Sequence, residues 1–102
     1  MPAFTITIAV SGNPNQTEAE FQSHVLNVLK AMNESPAHLD FEHRFQASIL
    51  FRRDTQSQFA ANALAQSLAS EMANRVPLVN RTDAQALQIK SFTVEKWYVE
   101  AA

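Results

Sequence analysis

The sequence predicts a two-layer α+β sandwich: a three- or four-stranded sheet with two helices on one face, in the order β-α-β-α-β. Three observations predict it. Segments of period-two alternation bracket segments of helical period. The early strands alternate apolar with polar, instead of forming continuous apolar blocks, so one sheet face is covered and the other meets water. The 102 residues, 46% hydrophobic and 18% charged, suffice for one packed domain over residues 1–102 and not for two.

The first strand is Phe4 to Val10. Phe4, Ile6, Ile8 and Val10 share one side, and Thr5, Thr7 and Ala9 the other. β-branched residues at this period favour a pleated, half-buried surface. Ser11-Gly12-Asn13-Pro14-Asn15 then reads as a loop. Thr17-Glu18-Ala19-Glu20 fits a capping box, with Thr17 as N-cap and Glu20 reaching back. Phe21, Val25, Val28, Leu29 and Met32 follow on one helical stripe, with His24 at its edge and expected on the surface. Pro36 places the helix end near residues 33–35.

Leu39 to Arg53 alternates without a break. Leu39, Phe41, His43, Phe45, Ala47, Ile49 and Phe51 share one parity. Residues 42–46, Glu-His-Arg-Phe-Gln, contain no turn former, which favours one long strand over a hairpin. His43 then falls at the core edge. Asp54 or Thr55 caps a second helix, alanine-rich from Ala60 to Arg75, with Leu64, Leu68 and Met72 as its main stripe and Pro77 as its stop. Residues 76–83 read as an irregular connection with a short edge strand at Leu78-Val79. The last strand spans about Gln85 to Val99. Leu87 and Ile89 share one parity while Phe92, Val94 and Tyr98 share the other, which calls for a bulge at Lys90-Ser91.

Right-handed crossovers moving the same way put both helices on one sheet face. The alternative arrangement is ferredoxin-like, βαββαβ, and requires the 39–53 segment to split into a hairpin.

Composition excludes several functions. No cysteine means no disulfide, thiolate metal site or cysteine nucleophile. One glycine excludes glycine-rich phosphate loops. A net charge of −2 and a pI near 5.8 disfavour a strong non-specific nucleic-acid binder. No apolar run approaches the ~20 residues of a membrane span. No basic-flanked apolar leader is read, and the expected location is the cytoplasm.

Catalytic candidates are thin. His38, Asp40 and Glu42 alternate, so they share a strand side, but a solvated strand start accounts for them and no metal is expected. Ser11-Gly12 lacks the frame of a nucleophile elbow. Asp83 with Gln88-Ile89-Lys90 matches a nuclease-like acid and Gln-x-Lys signature only weakly, with no second acid. No catalytic residue and no cofactor are expected.

The apolar residues left outside the core say more. Leu50 interrupts a polar strand side; Trp97 and Val99 fall opposite Phe92, Val94 and Tyr98. Phe59 lies about 180° around the second helix from Leu68. Leu50, Trp97 and Val99, framed by Arg44 and Arg52, are the expected partner-binding residues, since clustered exposed apolar groups mark interfaces. The expected function is a non-catalytic protein-binding or regulatory module, acting through a bare sheet face or an edge strand on a protein partner or a second copy. The alternative is a nucleic-acid-binding module with a basic strip of Arg44, Arg52, Lys90 and Lys96, interleaved with Trp97. A small hydrolase or nuclease is a weaker alternative. In size and topology only, the chain is similar to many small α+β regulators, phage-encoded and bacterial accessory proteins among them.

Overall fold

A computed structural model describes residues 2–12, 17–79 and 92–101. Six elements follow in order: β1 (Ala3–Gly12), α1 (Glu18–Ala31), β2 (His38–His43), β3 (Gln46–Asp54), α2 (Gln58–Val79) and β4 (Phe92–Ala101). The strands form one antiparallel sheet in the order β2-β3-β1-β4. This is an α+β fold with the ferredoxin-like βαββαβ arrangement, the alternative that the sequence left open.

β1 is the central organiser. Its inner side, Phe4, Ile6, Ile8 and Val10, is buried, and it pairs with β3 on one flank and β4 on the other. Against it pack Phe21, Val25, Val28 and Leu29 from α1 with Met32 at its C-cap, and Ala65, Leu68, Ala69, Met72 and Val76 from α2. The small residues of α2 let this helix lie close to the sheet. Ala47, Ile49 and Phe51 complete the core from β3. At its centre Phe21 receives three edge-on rings: Phe41 at 6.0 Å, and Phe45 and Phe92 at 6.4 Å.

The start of α1 follows the sequence. Thr17 Oγ1 accepts from the Glu20 amide at 3.1 Å, and Glu20 Oε1 accepts from the Thr17 amide at 3.0 Å. Its end is set by Asn33 rather than by Pro36. Asn33 takes a left-handed φ of 58°, the Glu34 amide donates to the Leu29 carbonyl and the Asn33 amide to that of Lys30, both at 3.0 Å. That pair of bonds is a Schellman ending, and asparagine tolerates its left-handed residue better than most.

Several sequence expectations are corrected. The 39–53 segment is a hairpin that turns at Arg44-Phe45. Leu39 faces Ile49 and Asp40 faces Ser48, and the register then shifts before His43 meets Gln46. Neither turn residue has a positive φ. The turn is therefore not of the primed kind that matches strand twist, and the neighbouring bulge absorbs the mismatch. His43 is exposed beside this turn, and Phe41 and Phe45 are half-buried.

His24 is buried, at 2% exposure, because Phe92 of β4 closes over it with ring centroids 5.2 Å apart. Ser57, not Asp54 or Thr55, caps α2: its hydroxyl accepts from the Ala60 amide at 3.2 Å and its carbonyl from the Ala61 amide at 3.0 Å. Pro77 does not stop α2, which continues to Val79 and takes in the expected edge strand at Leu78-Val79. Pro77 costs the helix one ladder amide, two residues before its end. The expected strand portion at 85–91, its bulge at Lys90-Ser91 and the weak Asp83 signature lie outside the described residues.

The last correction is in β4. Its bulge lies at Glu95: Ala9 pairs with Lys96 and Val10 with Val94, leaving Glu95 as the extra residue. The two sides exchange there. Phe92 and Val94 face the helices, and beyond the bulge Trp97 and Val99 do so, half-buried against the core, while Tyr98 points out. The expected outward placement of Trp97 and Val99 is thus reversed.

Candidate functional site on the uncovered sheet face

Both helices pack on one face of the sheet. Among the described residues, no element lies over the other. Strand pairing arranges that face in levels running from edge to edge. One level is His38, Leu50, Thr7 and Tyr98, on β2, β3, β1 and β4 in turn. The next is Asp40, Ser48, Ala9 and Lys96. Arg52, Thr5 and Glu100 form the level at one end; Gln46, Ser11 and Thr93 form that at the other.

The His38 level holds the apolar centre. Thr7 is only 3% exposed although no described helix covers it, and Leu50 and Tyr98 flank it on the neighbouring strands. Leu50 is half-buried and Tyr98 is 44% exposed. Tyr98 is an amphipathic ring of the type enriched at interfaces.

Beside this centre lies an open polar cleft bounded by Ser11, Glu42, Gln46, Ser48, Lys96 and Tyr98. Its two serines are committed: Ser11 donates to Glu95 and Ser48 to Glu42. These short side chains hold both carboxylates down over the sheet. His38, Asp40 and Glu42 do share this face, but among the described residues no three such side chains converge as metal ligands would.

The expected site residues therefore separate. Leu50 and Arg52 are on the uncovered face, as expected. Trp97 and Val99 are on the covered one. Arg44 sits in the hairpin turn, at the opposite end of β3 from Arg52. The basic strip is not assembled among the described residues: Lys96 lies between Glu95 and Tyr98, Arg52 is one strand from Thr5 and two from Glu100, and Lys90 lies outside the described residues. Tyr98 was missed because the bulge that turns it outward falls at a glutamate, which carries no bulge signal. Among the described residues no helix is long and apolar enough to cross a membrane. Compared with family models, curated proteins and solved structures, the chain has no match.

Proposed function

We propose that the chain is a non-catalytic protein-binding module that acts through the uncovered face of its sheet. The observation that carries this is Thr7, buried on the face that carries no helix among the described residues and bordered by Leu50 and the half-exposed Tyr98. The face offers a small apolar centre with charged residues around it, the layout of a protein interface with its polar rim.

Site-specific photo-cross-linking tests the proposal. A benzophenone side chain replaces Tyr98 in one variant and Asn62, on the exposed side of α2, in another. Protein adducts should form from position 98 and be lost when Leu50→Asp is added, while position 62 gives none. Adducts from position 62 alone, or none from position 98, would overturn it.

A further inference from the structure

We propose that the partner of this face is a second copy of the chain, seated face to face about a twofold axis that lies in the interface and runs parallel to the strands, between β3 and β1. This rests on the reading of the face as a binding surface.

A twofold axis in that position exchanges β2 with β4 and β3 with β1, while each residue keeps its level along the strands. The consequences follow from the pairing alone. At the central level Leu50 of one copy covers Thr7 of the other, and His38 covers Tyr98. One level on, Asp40 faces Lys96, and Ser48 faces Ala9. At the end level Arg52 lies over Thr5, one strand from Glu100 of the second copy. Within one chain β1 separates Arg52 from Glu100; across the interface Glu100 of the second copy is offset sideways from Arg52 by one strand, about 4.8 Å, in addition to the roughly 10 Å between stacked sheets. Each of these contacts occurs twice.

The charges favour this axis over one that crosses the strands. An in-plane axis running across the strands exchanges the ends of the sheet. It sets Arg52 over Gln46 and Glu100 over Thr93, beside Glu95, and neither the Asp40–Lys96 nor the Arg52–Glu100 pair forms. The strand-parallel axis also makes one adverse contact, because Glu42 comes over the Glu95 end of the second copy. Both carboxylates are held there by serines. The usual inter-sheet angle of about 30° keeps the Leu50–Thr7 contacts near the axis in register and loosens the corners first, where Arg52 and Glu100 lie.

The area is sufficient for a weak, specific dimer. Four strands at ~4.8 Å and up to ten residues at ~3.3 Å give a face of about 600 Å², or about 1,200 Å² over two copies. That is the lower end of specific interfaces, so the dimer is expected to dissociate at micromolar concentrations.

Sedimentation equilibrium tests this on the full chain, with circular dichroism confirming the fold of each variant; the substituted residues are exposed. The wild type should show a monomer–dimer equilibrium. Lys96→Glu and Asp40→Lys should each weaken dimerisation about tenfold, because each replaces two attractive contacts by two repulsive ones. The double variant should recover to within about threefold of the wild type, since the swapped pair is again complementary. Glu95→Gln should tighten the dimer by removing the like-charge contact. A double variant no better than the singles overturns the axis. A wild type that stays monomeric at about a hundred times the micromolar range overturns the second copy as partner. In that case adducts from position 98 with a different protein would keep the face as a binding site, and their absence would remove both.

Discussion

Replacing Phe21 by alanine should remove much of the stability of the domain. Phe21 is fully buried, on the first turn of α1, and its ring is met edge-on by Phe41, Phe45 and Phe92. Those three rings come from β2, the hairpin turn and β4, so one side chain ties three parts of the sheet to the helix layer. A buried phenylalanine-to-alanine change costs about 3–5 kcal/mol. Edge-to-face ring pairs contribute about 0.5–1.5 kcal/mol each beyond their area. Three of them place Phe21→Ala near the top of the range, at about 5 kcal/mol. A domain of this size has about 5–15 kcal/mol in all, so between a third and the whole of the stability is lost. Urea unfolding followed by far-ultraviolet circular dichroism reads this directly, with Phe21→Leu as companion. The leucine keeps most of the apolar volume and should cost about 1–2 kcal/mol. A Phe21→Ala loss below 2 kcal/mol would refute the packing of these four rings.

Two further outcomes are expected. Trp97→Ala should lower stability by about 2 kcal/mol, less than a fully buried tryptophan, because the indole lies half-buried against the core; an unchanged urea midpoint would return Trp97 to the outer face. Thr17→Ala should cost about 1 kcal/mol by breaking a reciprocal cap whose bonds measure 3.0 and 3.1 Å, and thermal unfolding of the two proteins side by side checks it.

The elements of the fold were legible where local chemistry decides them. The inner side of β1, the capping box at Thr17 and the stripe from Phe21 to Met32 all depend on neighbours within a few residues. The hairpin was hidden for a specific reason. Because Leu39 faces Ile49 and Asp40 faces Ser48, residues of one parity meet residues of the same parity across the turn. The alternation therefore runs through Arg44-Phe45 unbroken, and no glycine or asparagine marks the reversal. The candidate site was half legible. Leu50 and Arg52 lie in β3, which pairs with β1 without a register shift, and their side of the sheet follows from parity alone. Trp97, Val99 and Tyr98 lie beyond the bulge at Glu95, and one extra residue moves every later side chain to the opposite face. His24 shows the same dependence on distant chain: Phe92, 68 positions away, buries it.

The uncovered face is the surface proposed to meet protein. Amide spectra of isotope-labelled protein, recorded across a dilution from millimolar to low micromolar concentration, address it most directly. Concentration-dependent shifts should gather at Thr7, Ser48, Leu50, Lys96 and Tyr98, and spare Asn62, Ser67 and Ser70 on the exposed side of α2. Shifts confined to α2, or spectra that do not change with concentration, would contradict the assignment of that face to a second copy.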